Sequence, residues 1–259
     1  MSRRLSAPVL ATGLALGLTS GFGLTTPSVA QAMDLTELTD AERAQFRAEV
    51  RSYLMDNPEV IMEAVDQLQR REAEAQAEAD HSLVSDNQEA IFNDGYSWVG
   101  GNPEGDITLV EFLDYRCGYC KKAHEEVAKL LETDGNIRLI VKEFPILGEQ
   151  SMLASRFAVA TKQVSGDDSY RALNDALMAF NGDITMESLR RLAKTFGLDF
   201  DAIAAKMDSE AVTREITETR ELAQRLRISG TPTFVMQGEM LRGYLPYDQM
   251  RDLVDEKRG

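Results

Sequence analysis

The sequence predicts an α/β domain with an inserted helical subdomain, preceded by an N-terminal α-helical extension. Three observations indicate this fold class. Strand-like and helix-like apolar patterns alternate across residues 107–144, helical spacing fills residues 145–229, and the same spacing recurs through residues 41–68. The alternation favours a sheet with parallel strands, because a parallel pair needs a crossover connection between its strands.

Residues 1–32 have the composition of a secretory signal peptide. Arg3 and Arg4 precede an uncharged stretch rich in Leu, Ala and Gly, which ends in the small-residue triplet Ala30-Gln31-Ala32. We expect cleavage near Ala32 and export of the mature chain to the periplasm. A retained membrane anchor is the alternative, and the glycines and the proline that interrupt the apolar run disfavour it.

The chain is strongly acidic, with 28 Lys and Arg against 43 Asp and Glu and a formal net charge of −15. Loss of residues 1–32 removes two arginines and no acid, which leaves −17. Nucleic acid and anionic membranes are therefore disfavoured as partners. Residues 33–90 hold 15 acids against 5 arginines and contain neither cysteine, which indicates a separate N-terminal module.

Residues 33–80 are predicted to form two short amphipathic helices followed by a solvated helical spacer. Apolar residues recur at helical spacing on both sides of Asn57-Pro58, and we expect Asn57 to cap the second helix with Pro58 at its first position. No predicted strand in this segment covers the two apolar stripes. We therefore expect homo-oligomerisation through residues 33–80, with packing on the rest of the chain as the alternative.

The only two cysteines form the motif Cys117-Gly118-Tyr119-Cys120. The motif follows a predicted buried strand at Ile107–Leu113 and opens a predicted helix that runs to about Glu132. Unsatisfied backbone N–H groups and the helix dipole favour the thiolate of the first cysteine. We therefore predict that Cys117 is the nucleophile and that Cys120 resolves a mixed disulfide. A purely structural disulfide is disfavoured, because a loop of two residues removes little chain entropy.

The rest of the chain is expected to complete a sheet around this motif. A strand at residues 136–144 makes a βαβ unit with the two cysteines at its first βα junction. Residues 145–229 exceed a single crossover helix, so we expect an inserted helical subdomain there. A strand from Thr233, a tight turn at Gln237-Gly238-Glu239, a second short strand and a helix at 247–258 follow.

Pro232 stands directly before the late strand, in the run Gly230-Thr231-Pro232-Thr233-Phe234. Because proline has no N–H to donate to a sheet, it indicates an edge or a special turn. A cis Thr231–Pro232 bond would place this loop over the two cysteines and leave backbone groups of Thr231 free to pair with an extended substrate. An ordinary trans proline at a turn is the alternative.

Together, the two-cysteine motif after a strand, the late Thr-Pro loop, and the terminal hairpin and helix resemble the thioredoxin superfamily. The long helical insertion resembles the DsbA family in particular. The resemblance covers about residues 91–258, within a thioredoxin-like domain that we place at residues 81–259.

The resemblance also implies roles for individual residues. Pro232 matches the family's cis-proline, and Glu111 matches a buried acid beneath the active site that would assist proton transfer at Cys120. Thr231 and Pro232 are expected to contact substrate, with Gly118-Tyr119 tuning access and the pKa of the leaving group. A strand residue exposed on an outer face is the alternative for Glu111.

Two features narrow the resemblance further. Gly118-Tyr119 replaces the Pro-His pair of DsbA and is the pair carried by the disulfide isomerase DsbC. The run from Tyr53 to Val60 resembles the ScsC-type branch of the family, in which such a segment oligomerises the catalytic domain. This implies a periplasmic enzyme that isomerises or reduces disulfides in exported client proteins and is reset by a membrane redox partner. The alternatives are a DsbA-like oxidase and a protein whose dithiol binds copper(I) or clients without turnover.

No cofactor and no resident metal are predicted. His124 lies four residues after Cys120 on the same helical face, so Cys117, Cys120 and His124 share a position suited to a soft metal. The other histidine, His81, lies in the spacer, so a closed four-ligand zinc site lacks ligands. Covalent haem attachment is disfavoured because Lys121, rather than histidine, follows Cys120.

Overall fold

The computed structural model describes residues 38–259, so the predicted signal peptide and its cleavage site lie outside the described residues. The chain divides into two compact units, one ending at Met62 and the other spanning Glu63–Gly259. Within residues 38–259, every helix is too short or too polar to cross a membrane.

Helix α1 spans Asp40–Asp56 in the first unit. A reciprocal pair of hydrogen bonds between Thr39 and Glu42 caps its start. The predicted role of Asn57 as cap of the second helix is wrong. Its Nδ2 and its backbone N–H donate to the Tyr53 carbonyl at 2.9 and 2.8 Å, so Asn57 closes the end of the first helix instead.

A five-stranded sheet lies at the centre of the second unit, in the order β1-β3-β2-β4-β5. Strands β2 and β3 are parallel, and the other neighbouring pairs are antiparallel. The strands are β1 at Trp98–Gly101, β2 at Ile107–Leu113, β3 at Ile137–Glu143, β4 at Thr233–Met236 and β5 at Glu239–Arg242.

Strand β1 was not predicted, because its two glycines indicate a turn. Gly100 instead makes room for an aromatic side chain, since a Cβ there would lie 2.0 Å from the ring of Trp98. Pairing with β3 at the edge of the sheet stabilises this short strand. Tertiary contact therefore overrides local preference here.

The remaining helices include the predicted crossover helix between β2 and β3 and the helices of the inserted subdomain. Helix α2 begins at Glu59 in the first unit and ends at Asp86, so the predicted second helix and its spacer form one continuous helix. Five helices lie between β3 and β4, as expected. The other helices are α3 at Gln88–Phe92, α4 at Gly118–Asp134, α5 at Glu149–Ser165, α6 at Asp167–Ala179, α7 at Met186–Thr195, α8 at Phe200–Met207, α9 at Glu210–Arg225 and α10 at Tyr247–Arg258.

Strand β2 is buried on both faces and separates two apolar clusters. Leu109 and Leu113 pack in the cluster that contains the buried face of α4, whereas Val110 and Phe112 pack in the cluster on the other side. Because side chains alternate along a strand, Glu111 faces the same side as Leu109 and Leu113. The strand therefore directs this carboxyl toward the helix that carries the cysteines.

Candidate active site

Cys117 is the N-cap of helix α4, directly after the turn that leaves strand β2. Its Sγ accepts a hydrogen bond from the Cys120 N–H at 3.4 Å. Both cysteines are free thiols; Cys117 is 8% exposed and Cys120 is fully buried. An incoming disulfide therefore meets Cys117 first, and Cys120 acts from behind it.

The pKa values of the two thiols are shifted in opposite directions. The hydrogen bond from the Cys120 thiol, together with the Thr231 side chain and the backbone N–H groups of Tyr119 and Cys120, outweighs burial and lowers the pKa of Cys117 to about 5. The same hydrogen bond and the burial of Cys120 raise the pKa of Cys120 far above its ordinary value. Cys117 is thus a thiolate at neutral pH, whereas Cys120 needs a base before it can attack.

A buried carboxylate holds the turn before Cys117. The two oxygens of Asp114 accept hydrogen bonds from Ser151 Oγ at 2.7 Å and from the backbone N–H groups of Arg116, Ile146 and Leu147 at 2.8, 2.8 and 3.0 Å. Its carbonyl accepts from the Cys117 N–H at 3.0 Å. Sequence reasoning missed Asp114, although an Asp just after a strand is a known turn-forming signal.

The Thr231–Pro232 peptide bond is cis, and its loop faces the dithiol. The Thr231 carbonyl oxygen lies 3.1 Å from Cys117 Sγ. This juxtaposition follows from the sheet, because Thr233 at the start of β4 pairs with Phe112 near the end of β2. Residues separated by more than a hundred positions therefore form one site.

Glu111 is 1% exposed, so the alternative of a surface strand residue is wrong. Its Oε1 has no hydrogen-bond partner among the described residues. Burial, as the largest effect, raises the pKa of this carboxyl to about 7. A carboxyl with such a pKa can both accept and release a proton near neutral pH.

Tyr119 lies on the surface beside the dithiol, with 65% of its area exposed. Its ring centroid is 6.3 Å from that of Tyr244, whose hydroxyl donates to Glu126 at 2.7 Å. Tyr244 was missed, and its only sequence signal is an aromatic residue in the loop after the terminal hairpin. Gly118 is not required by packing, since a Cβ there would meet nothing within 4 Å.

His124 lies on α4 and pairs with Asp175 of α6, with 3.1 Å between Nε2 and Oδ1. Burial disfavours the imidazolium, but the hydrogen bond to Asp175 and the charge of Glu111 outweigh it and raise the pKa of His124. Within residues 38–259, no three His, Cys, Asp or Glu side chains are grouped as metal ligands.

An acidic dithiol on a strand-to-helix turn, facing a cis-proline loop, defines the class of thioredoxin-fold dithiol proteins.

Comparisons with known proteins identify the family. Residues 108–255 match the DSBA-like thioredoxin domain, and residues 42–75 match the Copper resistance protein ScsC N-terminal domain. The first match covers more than half of the chain, so the chain belongs to the DSBA-like thioredoxin domain family. The predicted thioredoxin-like fold with a helical N-terminal part is therefore confirmed.

Solved structures agree with this assignment. A thioredoxin-like oxidoreductase from Silicibacter pomeroyi is 41% identical, with a TM-score of 0.63 over 66% of this chain and 98% of that chain. ScsC from Proteus mirabilis, in a transitional conformation, is 28% identical, with a TM-score of 0.63 over 85% of this chain and 98% of that chain. BcfH from Salmonella enterica Typhimurium is 26% identical, with a TM-score of 0.69 over 85% of this chain and 97% of that chain.

Curated relatives include Disulfide bond formation protein D from Bacillus subtilis, 23% identical over 61% of this chain and 76% of that protein. The Na(+)/H(+) antiporter NhaA 3 from Salinispora tropica is 27% identical over 58% of this chain. The match covers only 22% of the antiporter, so antiport activity is no guide to this chain. The family and the solved relatives support a thiol–disulfide oxidoreductase of the DsbA and ScsC type.

Proposed function

We propose that this chain is a periplasmic protein thiol–disulfide oxidoreductase that isomerises or reduces disulfides in cysteine-containing client proteins. The observation that carries the proposal is the contrast between the two thiols. Cys117 is acidic and reachable at the helix N-terminus, whereas Cys120 is buried and protonated. Export is supported by the composition of residues 1–32 and by a 28% identical periplasmic thioredoxin-like protein from Salmonella enterica serovar Typhimurium.

The proposed reaction has two exchange steps. The Cys117 thiolate attacks a client disulfide, forms a mixed disulfide and releases one client thiolate. Another client thiol then resolves the mixed disulfide, which gives isomerisation, or Cys120 attacks Cys117 Sγ, which gives reduction of the client. Backbone groups of Thr231 would pair with the extended client beside Cys117. A membrane redox partner would then reduce the Cys117–Cys120 disulfide.

Reduction of insulin and refolding of scrambled ribonuclease test this function. The mature chain should turn over both substrates, and Cys117→Ala should lose both activities because it lacks the nucleophile. Tyr244→Phe, which keeps the ring beside Tyr119, is the matched control and should remain active. Oxidation of reduced ribonuclease without isomerisation would support an oxidase instead. Tight copper(I) binding without turnover would support a protein that only sequesters the metal.

We further propose that residues 33–80 assemble copies of this chain. Helix α1 and the start of α2 line an apolar groove of about 380 Å³ within the first unit. Four of its large apolar side chains are exposed, including Phe46 at 44% and Met55 at 67%. Such contiguous apolar surface favours a protein interface, and the match to the ScsC N-terminal domain favours another copy of this chain as the partner.

Val50→Glu in the mature full-length chain should lower the oligomer mass, because it places a charge in this apolar groove. The neighbouring Glu49→Gln, on an exposed polar position, is the control.

A chain lacking residues 33–75 should be monomeric, keep insulin reduction and lose most isomerisation, since clients would no longer meet several active sites at once. Light scattering gives the mass. A wild-type monomer would contradict the assembly.

A further inference from the structure

A cavity of about 580 Å³ lies beside the buried carboxyl of Glu111. Strand β2 and helices α4 and α6 supply its charged and titratable lining, which consists of Glu111, His124, Glu132, Arg171 and Asp175. Apolar side chains such as Val127 and Leu131 also line the cavity, and its volume has room for several water molecules beside the charged and titratable groups. The cavity is therefore suited to hold water beside the Glu111 carboxyl, whose Oε1 is buried without a hydrogen-bond partner among the described residues.

The lining residues differ stepwise in their access to solvent. Glu111 is 1% exposed, the side chain of His124 is 25% exposed, and that of Asp175 is 57% exposed. Asp175 accepts from His124 Nε2 at 3.1 Å and so fixes the imidazole at the cavity wall. The three side chains thus line one path from a buried carboxyl to the protein surface.

We propose that His124, held by Asp175, relays protons between Glu111 and solvent through this cavity while Cys120 attacks a mixed disulfide. The inference deepens the proposed function, because it rests on Cys117 and Cys120 acting as an exchange pair. His124 is thereby a relay group that acts through Glu111 rather than on the sulfur atoms. Histidine suits this task, since its charge changes between about pH 5 and 8.

The relay begins with the thiol of Cys120. The Cys120 thiol gives its proton to the Glu111 carboxylate, and the resulting thiolate attacks Cys117 Sγ. The Cys117–Cys120 bond forms, the bond between Cys117 and the client breaks, and the client leaves as a thiolate. Two electrons pass from the protein dithiol to the client disulfide. His124 releases its imidazolium proton to solvent, and the neutral imidazole then takes the proton of Glu111 through cavity water.

The charges around the path support this exchange. The imidazolium of His124 lowers the pKa of Glu111, and the charge of Glu111 raises that of His124, so each group responds to the protonation of the other. Glu143 of β3 and Cys117 raise the pKa of Glu111, and Glu125 of α4 raises that of His124. Of the other lining charges, Glu132 lies on α4 and Arg171 on α6.

Stopped-flow reaction of the reduced mature chain with one equivalent of 5,5′-dithiobis(2-nitrobenzoate) separates the two attacks. The first thionitrobenzoate released reports Cys117, and the second reports Cys120. In His124→Ala we expect the second phase to slow by about tenfold at pH 7, with the first phase unchanged, because Glu111 keeps part of the proton route. Added imidazole should restore the second phase, since the vacated site opens onto the cavity.

The conservative variants separate relay from structure. His124→Gln should be as slow as His124→Ala in the second phase, because an amide cannot carry the proton, and both should keep only the inflection that Glu111 gives at about pH 7. Asp175→Asn should slow the second phase less, and the exposed Asp168→Asn on the same helix should match the wild type.

A second phase within about twofold of the wild type in folded His124→Gln, or equal slowing of both phases, would overturn the relay. Circular dichroism and the free energy of unfolding establish that each variant is folded. Two normal phases in the wild type without turnover of protein disulfides would overturn the proposed function and leave the relay in place.

Discussion

Cys120→Ser is expected to trap this chain on its clients as a covalent mixed disulfide. Cys117 keeps its thiolate, because a serine hydroxyl can replace the hydrogen bond from Cys120 that contributes most to the lowered pKa. The chain then has no second thiol of its own to resolve the mixed disulfide, so release depends on a client thiol alone and is slower. The rate of capture should stay level from pH 8 down to about pH 6 and fall as the pH approaches about 5, where the Cys117 thiolate becomes protonated.

Capture is measured on non-reducing gels with a disulfide-bonded client such as scrambled ribonuclease. Cys117→Ala should form no adduct, and Cys120→Ala should show a higher midpoint than Cys120→Ser because it cannot donate a hydrogen bond to the thiolate. Capture by Cys117→Ala equal to that by Cys120→Ser would contradict the assignment of the nucleophile.

Glu111→Leu is expected to stabilise the fold while it slows the attack by Cys120. The pKa of this fully buried carboxyl rises from 4.5 to about 7, so its charge destabilises the fold increasingly as the pH rises through this window. At about 1.4 kcal/mol per pKa unit, the leucine should gain up to about 3 kcal/mol above pH 7 and little below pH 4.5. Urea unfolding at about pH 4.5 and about pH 8 measures the gain.

Glu143→Leu is the matched control, because Glu143 is also buried with its pKa raised to about 7. Unlike Glu111, it accepts hydrogen bonds from Tyr115 and Tyr170 at 2.6 Å and from Ser155 at 2.7 Å. Leucine there would leave three buried hydroxyls without this acceptor and should destabilise the fold by several kcal/mol. Equal destabilisation by Glu111→Leu and Glu143→Leu would contradict the expected difference between a buried carboxyl without hydrogen-bond donors among the described residues and one with three.

Local patterns were enough to predict the catalytic turn and the secondary structure around it. The two cysteines, the strand before them and the helix after them lie within a few residues of one another, so their spacing carries the prediction. The position of Pro232 was also predictable, because a proline directly before a strand restricts the backbone. These elements determine most of the fold near the dithiol.

Long-range contacts account for what the sequence alone left open. Strand β1 depends on its pairing with β3, and the burial of Glu111 depends on helices packed over a strand whose two faces are both apolar. The pair His124–Asp175 joins two helices, so the spacing of His124 from Cys120 suggested a ligand and gave no sign of its carboxylate partner.

Asp114 limits how small an active version of this domain can be made. Its carboxylate accepts hydrogen bonds from the backbone N–H groups of Ile146 and Leu147 and from Ser151 Oγ, at the start of the inserted helical subdomain. The same carboxylate accepts from the Arg116 N–H and so holds the turn before Cys117. A minimal core with the insertion removed would leave that carboxylate buried without three of its donors. The insertion is therefore part of the scaffold of the nucleophile, and engineering of client specificity in this subdomain has to preserve residues 146–151.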